Sequence, residues 1–492
     1  MQSQLLAQYI NNAHAANARG EFNTAADLCQ HAIKLSANVP EAWYNLGIAL
    51  SGLGKRREAL KAFEKSRINT LDSADAQNSI GLQLIGLRAY PEAEKCLKRA
   101  LVLAPGYSFA HSNLGKLREK QKRYEEAEAA CRKAIELQPS FSPLYTNLGA
   151  ILNDQKRYKE AEQVFSKAIE LDPDSAEAKF NLSLLLLSQG RYAEAWPYYE
   201  SRYDPNRQQT LQIPKPGFPQ WQGEPLTGKS LLLCPEQGFG DYVQFARYVP
   251  LLKDRGASRI TVLCDPLLKP LLETVEGADA VITDQASVTP HDYWSFPLSI
   301  PMHFGTTVDT IPASLPYLHA SADRIEYWQD RLPLHGFRVG LVWKGSPNLS
   351  TDDTRSLPGL ATLAPLWSVP GVTFVSLQKG PGEDEAKHPP AKQPIIDLGK
   401  DIRDFADTAA IVSLLDLVIC VDTAVVHVAG ALGKPCWLLL PGIEVDWRWF
   451  LDRADSPWYP EVLRIFRQTK LNDWSDTISK AASELKAVAK PA

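Results

Sequence analysis

The sequence predicts an α-helical solenoid of repeats followed by an α/β region of two doubly wound parallel sheets. In the first part of the chain, alanine recurs every 34 positions, at Ala25, Ala59, Ala93, Ala127, Ala161 and Ala195. In the rest, short apolar runs such as Leu417–Val421 and Cys436–Leu440 alternate with stretches typical of helices. Apolar runs without polar alternation indicate strands that are buried on both faces of a parallel sheet.

Three further series of residues share the 34-residue period. One consists of small residues, at Gly47, Gly81, Gly115, Gly149 and Ser183. An aromatic series contains Phe22, Tyr90, Tyr124, Tyr158 and Tyr192. A third series of small residues ends at Ala168 and breaks at Arg202. Small side chains at fixed positions let two antiparallel helices approach closely, and each pair buries its apolar face only against its neighbour. The period predicts six helical pairs within residues 1–203.

The pattern Asn-Leu-Gly, Tyr, Ala, Ala, Pro within each unit resembles the tetratricopeptide repeat family. That resemblance implies a right-handed solenoid whose concave groove binds a protein or peptide. Asparagines at one phase of the repeat are candidates for holding a peptide backbone, namely Asn45, Asn113, Asn147 and Asn181. Two alternatives stay open. The array could be a spacer or dimerisation arm, and asparagine at this phase is also common in the repeat consensus.

Residues 204–228 are rich in Pro, Gln and Gly, which predicts an extended linker. Gly223–Ser230 matches the phosphate-loop pattern, but no strand precedes it and no helix follows it, so the match is interpreted as accidental. The remaining chain divides into halves at residues 229–325 and 326–492. A ligand cleft is expected between these halves, where both sheets present their carboxyl edges.

Asp422 and Thr423 follow the apolar run Leu417–Val421 and open a predicted helix. The start of a helix offers free backbone N–H groups and the positive end of the helix dipole, which suits a phosphate-bearing ligand. The alternative is that Asp422 is only the N-cap of a structural βαβ unit.

Five motifs stand in the order typical of the bacterial heptosyltransferase-like glycosyltransferases, which this region resembles. They are GFGD at 238–241, LVWKGSP at 341–347, SLQKG at 376–380, DFADTAA at 404–410 and VDTAVVHVAGALGKP at 421–435. With the repeat array in front, the layout also resembles the protein O-GlcNAc transferases and their bacterial relatives. The resemblance implies a GT-B fold of two Rossmann-like domains and a nucleotide-diphosphate sugar as donor. It also implies that no metal or other cofactor is needed.

The resemblance also implies roles for individual residues. Asp241 matches the general base toward the acceptor hydroxyl; the alternative is an N-cap of the following helix. A role in binding the nucleotide-sugar is implied for Gly238, Gly240, Lys344, Gly345, Gln378, Lys379, Asp422, Thr423, Ala424, His427, Trp447 and Arg448. For Lys344 a solvated surface position, and for His427 packing between helix and sheet, stay open.

Two departures from the family pattern bear on activity. Ala424 stands where the family usually has Gly, and Leu349 and Thr351 stand where relatives often carry His and Asn. If the missing His contacts donor or acceptor, specificity or turnover is altered.

Composition and the lack of certain motifs argue against several classes of function. A net charge of −4 and a pI near 6.2 argue against a nucleic-acid binder. No apolar window is long enough to span a membrane, and the N-terminus lacks the features of a signal peptide. Seven cysteines without a CxxC pair indicate a reducing compartment, so the cytoplasm is expected. Metal-ligand spacings and the GxSxG motif are both missing, which argues against a metal site and against a serine hydrolase.

The sequence therefore predicts a cytoplasmic glycosyltransferase that moves a sugar from a nucleotide-diphosphate sugar to an acceptor, expected to be a protein or peptide presented by the repeats. The main alternative is a non-enzymatic adaptor with a degenerate transferase domain. A sugar-nucleotide epimerase on the same fold is a second alternative. The identities of the sugar, the nucleotide and the acceptor stay open.

Overall fold

The computed structural model describes residues 2–69, 73–207, 213–347 and 352–489. The chain divides into two compact units, Met1–Asn181 and Leu182–Ala492. The boundary lies inside the helix Ala176–Ser188, so the last helix before the sheets belongs to the second unit.

Twelve helices precede the first strand within the described residues. They are α1 Gln2–Ala18, α2 Phe22–Leu35, α3 Pro40–Gly52, α4 Arg56–Asn69, α5 Ala74–Gly86, α6 Tyr90–Leu103, α7 Ser108–Lys120, α8 Tyr124–Leu137, α9 Ser142–Asp154, α10 Tyr158–Leu171, α11 Ala176–Ser188 and α12 Tyr192–Tyr199. Within the first unit, successive helices pack in pairs, α1 with α2 through α9 with α10. This arrangement confirms the predicted helical repeats.

The glycine series explains how closely the helices of each pair approach. A Cβ atom at Gly149 in α9 would lie 2.5 Å from the Phe165 ring in α10. At Gly115 in α7 it would lie 2.5 Å from Sγ of Cys131 in α8. Gly47 and Gly81 face the side chains 16 positions further on in the same way. The series therefore marks the places where a side chain of the second helix fills the space of a missing Cβ.

Replacing Gly149 by alanine should destabilise the repeat array by about 1–3 kcal/mol, because the added methyl collides with the buried Phe165 ring. Gly86→Ala is the matched control, since a Cβ at this last residue of α5 meets nothing within 4 Å. Urea unfolding followed by far-UV circular dichroism measures both variants. A loss no larger in Gly149→Ala than in Gly86→Ala would contradict the packing argument.

Among the residues that the structure describes, ten strands follow in the second unit. They are β1 Ser230–Leu233, β2 Arg259–Leu263, β3 Ala280–Ile282, β4 Tyr293–Ser295, β5 Phe337–Val342, β6 Val372–Ser376, β7 Ile396–Asp397, β8 Leu417–Val421, β9 Cys436–Leu440 and β10 Leu463–Arg467. The α-helices among and after them are α13 Phe239–Phe245, α14 Val249–Asp254, α15 Lys269–Leu272, α16 Ile300–His303, α17 Ala322–Gln329, α18 Asp352–Arg355, α19 Glu383–Lys387, α20 Phe405–Leu414, α21 Ala424–Ala431 and α22 Ser475–Val488.

The strands form two sheets in which every paired strand is parallel, as predicted. The four-stranded sheet has the order β3-β2-β1-β4, and the six-stranded sheet has the order β10-β9-β8-β5-β6-β7. When the strands of each sheet are numbered from its first strand in the chain, and the six-stranded sheet is read from β7, both sheets begin with the order 3-2-1-4. This is the start of the usual doubly wound order. The side of the sheet to which successive strands are added therefore changes between β1 and β4, and again between β5 and β8. We call these two places the switch points. The half of the second unit that contains β1–β4 is called the N-terminal half below, and the half that contains β5–β10 the C-terminal half.

The helical segment after β1 is broken in the structure. It begins at Phe239, ends at Phe245 and resumes as α14 at Val249, with a short 3₁₀ turn between. Pro250 explains the break, because proline lacks the N–H needed in a helix interior and clashes with the carbonyl four residues before it.

Among the described residues, no helix combines the length and the apolar character needed to cross a membrane.

Candidate functional site

The switch point of the six-stranded sheet brings two predicted site segments together. Strands β5 and β8 are paired, and Val342 lies opposite Cys420. Lys344 and Gly345 follow β5, and Asp422 and Thr423 follow β8, so both segments lie at the same carboxyl edge.

Arg355 joins these two segments. Its Nη1 donates to the Asp422 carbonyl at 3.0 Å, and its Nη2 donates to the Ser346 carbonyl at 3.2 Å. The guanidinium also covers Gly345, where a Cβ would lie 2.5 Å from Nη2. A Cβ at this position would therefore require the Arg355 guanidinium to shift.

The turn after β6 is held by Gln378, which is buried. Its Oε1 accepts from the backbone N–H groups of Trp343 and Lys344, each at 2.9 Å. The Gln378 side chain therefore fixes the end of β5 relative to the end of β6. The amino groups of Lys344 and Lys379 each donate to a backbone carbonyl, those of Pro358 and Lys400 respectively.

Helix α21 begins immediately after Thr423, its N-cap residue. The side chain of Thr423 makes no capping bond, and its buried Oγ1 has no hydrogen-bond partner among the described residues. The first N–H groups of a helix also lack intrahelical partners. The Thr423 hydroxyl and the first N–H groups of α21 thus lie at the switch point, where the Val426 N–H already bonds to the Thr423 carbonyl.

The turn after β1 carries Gly238, Gly240 and Asp241. Asp241 lies in the first turn of α13, and its Oδ2 accepts from the Gly238 N–H at 2.8 Å. Its Oδ1 forms an ion pair with Arg448. Asp241 is therefore not the N-cap of α13, which is Gly238, but its third residue, and its carboxylate bonds back to the N-cap N–H while also contacting the C-terminal half.

The starts of α13 and α21 lie directly against each other. A Cβ at Gly240 would lie 2.6 Å from Cδ2 of His427 and 3.5 Å from Cα of Ala424. The switch-point segments of the two sheets therefore meet at Gly240, and this glycine sets how closely they approach.

His427 is buried behind this contact. Its Nδ1 is 2.8 Å from the Tyr459 hydroxyl, and its ring stacks on Trp449 with centroids 5.4 Å apart. Burial, and then the positive charges of Arg448 and Arg247, hold the pKa of His427 well below its ordinary value. The imidazole is therefore neutral at pH 7.

Arg448 is almost fully buried and contacts both halves. Its Nε donates to Oε1 of Gln244 at 2.6 Å, while its Nη1 pairs with Asp446 at 2.9 Å. With the Asp241 ion pair, the guanidinium joins α13 to the segment after β9. Trp447 beside it is buried among aromatic rings, with its own centroid 5.8 Å from that of Tyr192.

Asp241 and Asp446 form ion pairs with this guanidinium, and Asp422 interacts with its charge without a direct bond. Burial, with the nearby charge of Asp446, raises the pKa of Asp422 to about 7, although Arg355 and Arg448 oppose the shift. Burial likewise raises the pKa of Asp241, against the opposing charge of Arg448. Both groups therefore hold a proton more readily than an exposed aspartate.

Arg247 also lies in the region between the halves, although none of the sequence motifs includes it. Its Nη1 donates to the Trp458 carbonyl at 2.6 Å, and its Nη2 donates to the Tyr317 hydroxyl at 3.0 Å. The one local signal was a polar pair, Gln244 and Arg247, within the otherwise apolar segment after Asp241.

Two expectations from the sequence concern residues or side-chain clusters that the described part of the structure does not include. Leu349 and Thr351, the departures from the family pattern, lie outside the described residues. Within the described ranges, the structure contains no cluster of three or more His, Cys, Asp or Glu side chains that could hold a metal ion.

The asparagines of the repeat array make contacts between successive repeats. Nδ2 of Asn113 donates to Oδ1 of Asn78, and Nδ2 of Asn147 donates to Ser112, each at 2.8 Å. Asn45 is buried, and its carbonyl accepts from Asn17. Asn181 lies in α11 and is partly exposed. A role of these residues in peptide binding stays a prediction.

Comparisons with known proteins show to which repeat family the helices of the first part of the chain are similar. Family models described as "Tetratricopeptide repeat" match residues 44–108, 108–141, 142–175 and 164–196. These matches confirm that the first part of the chain consists of tetratricopeptide repeats.

Among curated proteins, the chain is 30% identical over 316 residues to Protein FlbA of Caulobacter vibrioides (strain ATCC 19089 / CIP 103742 / CB 15). The match covers 59% of this chain and 52% of FlbA, so the chain spans about half the length of the curated relative it matches. The matched stretch is longer than the repeat region, and the similarity therefore extends into the α/β region.

Two solved structures illustrate the similarity of the repeats. YrrB, described as a TPR protein with an unusual peptide-binding site, is 24% identical, with a TM-score of 0.28; the match covers 35% of this chain and 88% of YrrB. PilF of Pseudomonas aeruginosa is 18% identical, with a TM-score of 0.33; the match covers 41% of this chain and 89% of PilF. By the family models, residues 44–196 contain tetratricopeptide repeats, and a C-terminal α/β region of parallel sheets follows them.

Replacing Gly240 by alanine should force α13 and α21 apart, because His427 is held by Tyr459 and Trp449 and cannot move aside. We expect a loss of about 1–3 kcal/mol in stability. Gly238→Ala is the control in the same turn, where a Cβ would meet only Oδ2 of Asp241, at 3.4 Å. Denaturant unfolding followed by tryptophan fluorescence measures both, and equal losses would refute the assigned contact.

Asp422 should make the unfolding free energy depend on pH between about 4 and 7. In this window the folded state keeps the Asp422 proton and the unfolded state releases it, so stability falls as pH rises, by at most about 1.4 kcal/mol per pH unit. Asp422→Asn should flatten this slope. Asp292→Asn should leave it unchanged, because hydrogen bonds from Ser230 lower the pKa of Asp292 to about 2. Identical slopes in wild type and Asp422→Asn, from unfolding at pH 5 and 7, would contradict the assignment.

Proposed function

We propose that the chain is a metal-independent glycosyltransferase of the GT-B type, acting in the cytoplasm. It transfers a sugar from a nucleotide-diphosphate sugar to a protein or peptide acceptor. The observation that carries this proposal is the meeting of two switch points, with Gly240 of one parallel sheet against Ala424 and His427 of the other. Ligands of open α/β sheets bind at such places, so the C-terminal switch point suits the donor, and Asp241 beside it suits the acceptor hydroxyl.

The C-terminal half is the proposed donor side. Diphosphates bind well at helix N-termini, because free N–H groups and the helix dipole both favour negative charge. Helix α21 provides this end, and the unpartnered Thr423 hydroxyl adds a further donor. Arg355 contributes a nearby positive charge.

The proposed reaction breaks the bond between the anomeric carbon and the diphosphate oxygen and forms a bond from that carbon to the acceptor oxygen. The acceptor proton passes to the Asp241 carboxylate, and the diphosphate leaves with the bonding electrons. A raised pKa makes Asp241 a better proton acceptor than an exposed aspartate. The acceptor hydroxyl has to compete with Arg448 for Oδ1 of Asp241, so binding and rearrangement of this ion pair are linked.

The repeat array is the proposed acceptor-binding region. Tetratricopeptide repeats bind proteins or peptides in the resemblance described above, and the similar repeat protein YrrB is described as having a peptide-binding site. An array of this kind suits an acceptor that is itself a polypeptide.

A non-enzymatic adaptor with a retired transferase domain is the second candidate. The specific observation that favours it is the occupancy of the site by the chain's own groups. Both oxygens of Asp241 are bonded, and Arg355 covers Gly345. Calorimetry with UDP, GDP and ADP separates the candidates, because a retired site binds none of them and a transferase binds one.

The transferase proposal predicts that the protein releases a nucleoside diphosphate from one nucleotide-sugar of a panel when cell extract supplies acceptors. Asp241→Asn should reduce this release at least about a hundredfold, since it removes the proton acceptor. The affinity for the nucleoside diphosphate should stay almost unchanged, because the donor site lies in the other half.

Asp265→Asn is the control for this variant, since Asp265 follows β2 at the same sheet edge and bonds only to its own turn in the contacts described. An equal loss of transfer and nucleotide affinity in Asp241→Asn would mean that Asp241 holds the fold rather than the proton. No release of nucleoside diphosphate from any donor, together with no nucleotide binding, would support the adaptor.

A further inference from the structure

The switch point of the four-stranded sheet is occupied by an arginine of the chain itself. Arg202 lies in the short 3₁₀ helix Glu200–Tyr203, directly after α12, and its side chain is 1% exposed. Its Nε bonds to Oε1 of Glu236, which follows β1, at 2.5 Å. Its Nη2 donates to Oγ of Ser299, which follows β4, at 2.7 Å. One guanidinium therefore bridges the two strand ends between which a ligand would otherwise bind.

The charge of Arg202 is neutralised within the protein. Glu200 forms a second ion pair with it, and Oε2 of Glu200 also accepts from Ser299 at 3.0 Å. The rings of Tyr199 and Tyr203 lie on either side, with the guanidinium 4.6 Å and 4.9 Å from their centroids. A buried charge with this many partners is a fixed structural point, since breaking any pair leaves a charge without water.

The helix before Arg202 contacts the other half of the same unit. Tyr192 of α12 accepts a hydrogen bond from Nε1 of Trp458 at 3.1 Å. Trp196 and Tyr199 lie against Trp447, with centroids 5.8 Å and 6.1 Å apart. Trp196 also donates to the Thr306 carbonyl of the N-terminal half at 2.7 Å.

We infer that residues 192–203 are a positioning element for the Asp241–Arg448 pair, with Arg202 as its central positioning residue. On one side Arg202 holds Glu236, five positions before Asp241 in the turn that leads into α13. On the other side α12 packs against Trp447, the neighbour of Arg448. The same element therefore sets both partners of the ion pair that joins the halves. Its catalytic consequence rests on the proposed function.

The sequence carries a sign of this role. Arg202 stands where the repeat series has small residues, at Ala100, Ala134 and Ala168. A large charged residue replaces a small one at the place where the last repeat meets the α/β fold within the second unit. The break in the period thus coincides with the change of role.

Hydrogen exchange of the full-length protein tests the inference. Arg202→Met removes the charge but keeps much of the volume, so amides of residues 234–245 should exchange at least about tenfold faster. Amides of β8 and β9 should be unchanged. Arg191→Met is the matched control beside the same helix, because Arg191 pairs with Glu194 at the surface. The double variant Arg202→Met/Glu236→Gln should recover part of the protection, since it no longer leaves Glu236 as a charged partner without its arginine.

Uniform acceleration throughout the α/β region, or unchanged exchange in residues 234–245, would overturn the positioning role. If Arg202→Met does not fold, Arg202→Lys, which keeps the charge but loses the planar fork, should give an intermediate exchange rate in the same segment. An unchanged rate in Arg202→Lys would also count against the inference.

Kinetics adds a separate readout. In Arg202→Met, kcat should fall about a hundredfold while KM for the nucleotide-sugar stays constant, as expected for a displaced reacting group. A rise in KM with unchanged kcat would refute the link to Asp241. If the wild-type protein transfers no sugar, the proposed function fails, while the exchange experiment still decides whether Arg202 positions the turn.

Discussion

The buried guanidinium of Arg448 forms ion pairs with carboxylates of both halves of the α/β region. It bonds to Asp241 and Gln244 of one half and to Asp446 of its own half. A charge removed from water destabilises a protein by roughly several kcal/mol unless it is fully paired, so these partners have to stay in place. The approach of α13 to α21, and with it the whole candidate site, follows from this requirement.

The two switch points differ in how their arginines are neutralised. Arg202 is completely enclosed and paired with two glutamates, so it has no capacity left for another anion. Arg355 keeps 12% of its side chain exposed and faces only Asp352, at 3.4 Å, as an ion-pair partner among the described residues. A ligand phosphate can therefore gain from Arg355 but not from Arg202. This asymmetry agrees with a donor site in the C-terminal half and with a sealed edge in the N-terminal half.

Local patterns made much of the fold predictable. The runs Leu417–Val421 and Cys436–Leu440 coincide with β8 and β9, because burial on both faces leaves a signature within five residues. Of the candidate-site segments, Asp422 and Thr423 followed from the same local pattern, whereas the others were implied by the family resemblance. The pairing of Asp241 with Arg448 joins residues 207 positions apart, and no local pattern encodes such a pair. The contacts of Arg202 were hidden in the same way, although the break in the repeat series marked its position.

The glycine packing within the helical pairs also affects how such an array can gain or lose repeats during evolution. Each glycine and the side chain that fills its space stand in the same 34-residue unit, as Gly47 with Phe63 and Gly149 with Phe165. Gene duplication of one unit therefore copies both sides of the fit together. The filling residue differs among the copies, where it is Phe, Leu or Cys. Repeat number can change during evolution at little structural cost.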